Sequence, residues 1–298
     1  MLFAAIDLGT QTFRIGIAEI KGKEVLPVTS RLFNVRLGRA ISLGRLTSSV
    51  LDGLKEIRAI LAQYPVSRVA VCGTEAVRRL KAHFPSQFHA LQAALQLPIT
   101  ILSPQEEGHL TALGAITALR LEGAKDPIVI LDVGGGSTEA IHYSWSSVKV
   151  KSLPVGAVTF DEKRMGQLSI LEVPPFKGAE MVVATGGTAT TLGAMMLGLT
   201  QYAPLKIRGL CVNVSTISDW IDRLASLGIE KRESLRGLEP ERADIIIPGL
   251  RILKQCLRHL DASEITISDS GLLMGILIDL IKKEFKDHAQ LDWRRLYV

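Results

Sequence analysis

The chain of 298 residues holds only three cysteines, Cys72, Cys211 and Cys256, far apart and in no CxxC pair. That spacing excludes a disulfide framework and a cysteine zinc site, and the three read as small buried hydrophobes of a reducing compartment. The six histidines form no HExxH or other paired spacing and read as structural or surface residues. The longest apolar run, GLLMGILIDLI at 271–281, is too short for a bilayer and contains Asp279. The opening stretch, MLFAAIDLGT, lacks the basic start of a secretory signal, and an acid arrives at Asp7. These absences predict a soluble, cytoplasmic protein with no membrane or nucleic-acid partner. No Pro/Gly/Ser-rich linker stands out, so domains must be joined by ordered segments. The phosphate-loop pattern GxxxxGK[ST] is missing. The dinucleotide pattern fails as well, because the residues after Gly136 alternate as a strand and do not open a helix.

What is present is substantial. An apolar fraction of 47% over 298 residues is more than one core usually takes, which predicts two lobes. The net charge of +5 suits a polyanionic ligand. Apolar runs at 2–7, 13–20, 68–73, 98–102, 128–133, 137–145, 181–187 and 264–271 read as strands or strand-to-turn units. Val50, Leu54, Ile57 and Leu61 recur at helical spacing over 48–62. The alternation of the two patterns argues an α/β fold. IDLGTQTF (6–13) and LDVGGGSTE (131–139) share one layout of strand, Asp, apolar residue, Gly, small polar turn and second strand. This echo suggests duplicated lobes.

Three glycine turns are candidate phosphate sites: Gly9-Thr10-Gln11-Thr12, Gly134-Gly135-Gly136-Ser137, and Gly186-Gly187-Thr188. Backbone N–H groups in a tight turn can converge on an anion, and glycine removes the Cβ that blocks approach. The third turn opens a helix, whose N-terminus favours negative charge. Asp7 and Asp132 close strands just before two of these turns, and Glu139 sits on the return strand. Each Asp could simply bond its own turn. Beside bound phosphate, however, acids need an intervening cation, and Mg²⁺ (or Mn²⁺) suits carboxylates and phosphate oxygens. In SPQEEGHL (103–110), Ser103, Pro104 and Glu106 form a capping box, which leaves Glu107 without a structural task. Glu107 is then either a solvated first-turn acid or a carboxylate that deprotonates an attacking water. Arg78 or Arg79 could clamp phosphate, and Arg242 is similarly ambiguous.

In order along the chain, IDLGTQTFRI, GTEAVR, SPQEEGHLTALGA, ILDVGGGSTE, ATGGTATTLG, PERADIIIPGLRIL and ISDSGLLMGIL resemble the exopolyphosphatase / guanosine pentaphosphate phosphohydrolase (Ppx/GppA) family of the actin-like ATPase superfamily. The resemblance implies two ribonuclease H-like lobes, each a mixed five-stranded sheet with helices, and ligand in the interlobe cleft. The first lobe would span 1–123, with a C-terminal helix at 282–298 packing back on it, and the second 124–281. It further implies removal of the terminal phosphate of inorganic polyphosphate, with Glu107 and Glu139 catalytic. Asp132, Glu139 and Asp7 would hold metal, and Arg78 and the loop from Gly134 to Ser137 would bind phosphate. Hydrolysis of pppGpp, a superfamily kinase, and a silent sensor of polyphosphate or of a guanosine penta- or tetraphosphate remain rival readings. The late segment SDSGLLMG lacks the arginine-glutamate pair common at this point in the family. Oligomeric state, a homodimer included, stays open.

Overall fold

A computed structural model describes residues 1–121, 127–172, 175–176, 178–285, 291–293 and 296. The strands are β1 (Leu2–Leu8), β2 (Thr12–Lys21), β3 (Glu24–Asn34), β4 (Val66–Gly73), β5 (Thr100–Ile101), β6 (Ile128–Val133), β7 (Thr138–Ser144), β8 (Ser147–Leu153), β9 (Met181–Thr185), β10 (Cys211–Asn213) and β11 (Glu264–Ile267). The helices are α1 (Leu37–Ser42), α2 (Ser48–Ala62), α3 (Glu75–His83), α4 (Pro85–Leu95), α5 (Pro104–Leu119), α6 (Gly186–Met196), α7 (Pro204–Ile207), α8 (Val214–Ala225), α9 (Ile229–Glu233), α10 (Ile246–Leu260) and α11 (Leu272–Glu284). Two compact units result, one of residues 1–114 with 272–298 and one of 115–271. The lobe boundary expected at 123/124 falls within 122–126, outside the described residues, as does much of the helix expected at 282–298.

In the first unit the sheet order is β3-β2-β1-β4-β5. β1, β2 and β3 form an antiparallel meander, and β4 joins β1 in parallel. β1 is central, so Phe3 to Leu8 are all buried, Asp7 among them. α2 buries Val50, Leu54 and Ile57, the stripe that its spacing predicts. At Gly275 of α11 a Cβ would collide with the Leu110 carbonyl of α5, so only glycine permits this close helix approach.

The second unit repeats the plan. Its sheet order, read from the other edge, is β8-β7-β6-β9-β11-β10. Again three antiparallel strands are followed by parallel additions, β9 beside β6 and β11 beside β9. The sheet departs from the expected five strands by one, because β10 adds antiparallel to the outer edge of β11. α10 is amphipathic and buries Ile246, Leu250, Leu253, Leu257 and Leu260 against the core.

Two further expectations are corrected. Cys211 is exposed on the edge strand β10, whereas Cys72 and Cys256 are buried. Burial pushes both of those thiols up to about 12, with Asp7 adding to the shift at Cys72. The strand expected at 98–102 contracts to two residues. Among the described residues no helix is long and apolar enough to cross a membrane.

Candidate active site

The first glycine turn closes the β1–β2 hairpin. Its register places Asp7 directly opposite Arg14. Arg14 donates from Nε (2.9 Å) and Nη2 (2.5 Å) to Asp7 Oδ2. Asp7 is 1% exposed, and its other oxygen, Oδ1, is buried with no hydrogen-bond partner among the described residues. The Gly9 N–H donates to Thr12 O at 3.0 Å and tightens the turn. The carbonyls of Thr10 and Gln11 accept from the N–H groups of Gly38, Val35 and Arg36. A trans peptide sets each N–H anti to the preceding carbonyl, so the N–H groups of Gln11 and Thr12 face away from that 35–38 segment.

Glu107 lies in the same unit. The capping box forms as expected: Ser103 N–H donates to Glu106 Oε2 (2.7 Å), and Glu106 N–H donates to Ser103 Oγ (3.2 Å). The Ser103 N–H holds the Glu106 carboxyl below its usual range. Glu107, relieved of capping, turns inward and is 7% exposed. Arg78 Nη1 donates to Glu107 Oε2 (2.9 Å) and to Leu102 O (2.6 Å). Arg79 instead makes a surface pair with Glu75 one turn earlier on α3. The two adjacent arginines therefore divide as the sequence left open, with Arg78 on the buried carboxylate.

In the second unit the β6–β7 hairpin repeats the first with one change. Asp132 lies directly opposite Glu139, so two carboxylates stand on one sheet face with Cβ atoms about 5 Å apart. Ser152 Oγ donates to Glu139 Oε1 at 2.8 Å. The Gly134 N–H donates to Ser137 O at 3.0 Å, the counterpart of the Gly9 bond. The carbonyls of Gly134 and Gly135 accept from Ala157, Val158 and Thr159 N–H, and Gly136 O accepts from Thr159 Oγ. All three carbonyls are thus tied to residues 157–159. By the same peptide geometry the N–H groups of Gly135, Gly136 and Ser137 face the other way, as three consecutive donors that suit an anion.

The third turn corrects one expectation about its glycines. A Cβ at Gly186 (φ 81°) would collide with Asp132 Oδ1, and one at Gly187 with Arg242 Nη1. The cleared space is occupied by side chains of the protein itself. Arg242, on the short 3₁₀ turn Pro240–Arg242, is held through Nε by Glu239 Oε2 at 2.7 Å. Its guanidinium stands at the start of α6, with the Glu239 carboxylate as its counter-charge. Thr188 Oγ donates to Val133 O at 3.1 Å, which engages its hydroxyl proton. Thr185, just before the turn, donates to Ser270 O at 3.0 Å. Asp269 in that same SDSG segment is gripped by Arg208 at 2.6 and 3.0 Å.

Sequence reasoning missed the roles of Arg14 and Ser152, and it left Arg242 undecided. A usable signal existed for Arg14: a four-residue turn between paired strands puts residue 14 across from residue 7. None existed for Ser152 or Arg242, which arrive from other elements.

The acids also bear on metal. No group of three or more His, Cys, Asp or Glu side chains able to hold an ion occurs among the described residues. The opposed pair Asp132 and Glu139 instead fits a Mg²⁺-type ion, which takes one or two carboxylates and fills its shell with water and phosphate oxygens.

Duplicated α/β units with acid-flanked glycine hairpins define an enzyme of the phosphoanhydride hydrolase type on an actin-like ATPase fold. The chain belongs to the Ppx/GppA phosphatase family, whose sequence pattern matches residues 17–284. It is similar to exopolyphosphatase 2 of Mycobacterium tuberculosis, at 27% identity over 313 residues, covering 93% of this chain and 98% of that protein. It also resembles the crystal structure of the Aquifex aeolicus Ppx/GppA family member, with 27% identity and a TM-score of 0.74 over 95% of this chain and 98% of that one. An exopolyphosphatase structure from Cytophaga hutchinsonii shares the fold, with a TM-score of 0.81 at 20% identity over 95% and 98% of the two chains.

Proposed function

We propose that the protein removes the terminal phosphate of inorganic polyphosphate by metal-assisted attack of water. The observation that carries this reading is the Asp132–Glu139 pair, two acids opposed on one sheet face beside a turn whose amides point together. Similarity to exopolyphosphatase 2 over nearly all of both chains supports the substrate class.

The N–H groups of Gly135, Gly136 and Ser137 bind phosphoryl oxygens, and those of Gln11 and Thr12 in the first turn do the same. Asp132 and Glu139 would hold Mg²⁺ (or Mn²⁺), and Asp7 has only Oδ1 to contribute, because Arg14 occupies Oδ2. When bound, the ion neutralises charge on the phosphoryl oxygens. Arg78 fixes the orientation of Glu107, which aligns a water and accepts its proton. Positioning and charge stabilisation carry most of the acceleration in phosphoryl transfer.

Glu107→Gln is expected to lower phosphate release about 100-fold while ligand-induced thermal stabilisation persists. An unchanged rate would remove Glu107 from the mechanism. Release from long-chain polyphosphate and from pppGpp, measured on one sample with and without Mg²⁺, tests the substrate. Faster release from pppGpp would overturn the polyphosphate assignment. Stabilisation by either compound with no release would overturn hydrolysis itself in favour of a sensor.

A further inference from the structure

The second unit carries an open groove of about 1210 Å³ lined by α8, α10 and the segment around Phe160. Three of its lining residues, Arg251, Lys254 and Arg258, lie along the exposed side of α10, opposite the face that packs in the core. Their spacing of three and four residues makes them neighbours on one helix face. Among the described residues neither Lys254 nor Arg258 makes an ion pair. Two acids, Asp222 and Asp261, line the same groove, and neither pairs with those cations. Phe160 and Met165, both half-buried, add apolar surface. The groove thus offers cations, hydrogen-bond-accepting carboxylates and an aromatic ring together.

We infer that this groove binds a nucleoside phosphate, with its phosphates on Lys254 and Arg258 and its base against Phe160. Asp222 and Asp261 accept hydrogen bonds from the donors of the base or ribose. A bare phosphate chain is disfavoured here, because it presents only negative charge to those two acids and leaves the apolar wall uncovered. A nucleotide satisfies all three kinds of surface. The inference stands apart from the reading of the hydrolytic residues, since it uses none of them.

Photolabelling of the full chain with 8-azido-ATP and 8-azido-GTP, mapped by mass spectrometry, tests it. Label is expected at the peptide holding Phe160, displaced by unmodified nucleotide at concentrations about tenfold below those needed for tripolyphosphate. Lys254→Glu with Arg258→Glu is expected to abolish that label with an unchanged melting temperature, and Lys254→Ala with Arg258→Ala to weaken it, should the reversal unfold the chain. Label that misses this peptide, survives in both double variants, or yields equally to tripolyphosphate would overturn the proposal.

Discussion

The two hairpins, β1–β2 and β6–β7, share a backbone and differ in charge. Each closes over four residues, with a 3.0 Å bond from its first glycine to its last residue, at Gly9–Thr12 and at Gly134–Ser137. Each has its carbonyls pinned by a later segment, 35–38 in one case and 157–159 in the other. Yet Asp7 faces Arg14, whereas Asp132 faces Glu139. The first acid is neutralised within its own hairpin. The second stands against another acid, and that arrangement gains from a bound cation. Both hairpins thus turn their amides away from the segment that pins their carbonyls, while one cross-strand position decides which of them carries an opposed pair of acids.

That comparison can be broken most decisively at Asp132. Asp132→Asn is expected to cost about 3 kcal/mol of transition-state stabilisation, roughly a 100-fold loss in Mg²⁺-dependent phosphate release. Unchanged Mg²⁺-dependent release in this variant would remove Asp132 from the proposed metal site. At the first hairpin the expected effect is on stability. Arg14→Met leaves a buried carboxylate without its counter-charge and should cost about 2 kcal/mol in urea unfolding, below the range for a fully buried pair because Arg14 is 30% exposed. The smallest expected effect probes the shared backbone. A Cβ at Gly9 would stand 3.0 Å from Thr12 O, and one at Gly134 3.1 Å from Ser137 O. Gly9→Ala and Gly134→Ala should therefore cost nearly the same, about 1 kcal/mol each. Clearly unequal losses would show that the turns are not equivalent.

Much of the framework was legible because local signals agreed. The helix over 48–62, the strand over 128–133 and the Ser103–Glu106 capping box all form where apolar period and cap chemistry place them. The missed strands lie at or near sheet edges. β3 carries Pro27 and a register shift, and its exposed half hides the alternation, so only pairing with β2 holds it extended. β10 has three residues and exists through β11. Within the candidate site, the acids and glycines were readable as residue types at strand ends. Their partners were not: Arg78 reaches Glu107 across 29 positions, and Ser152 reaches Glu139 across 13.

Apolar periodicity, the repeated Asp–glycine hairpins and the capping residues act over a few positions, and they alone determined the class of fold, its duplication and the chemistry to look for. Which carboxylate is neutralised, which is opposed by its like, and which arginine stands over Gly187 depended on strand register and on segments brought in from far along the chain. Electrostatics between side chains is set by distances of a few ångströms, and those distances exist only after the sheets have paired.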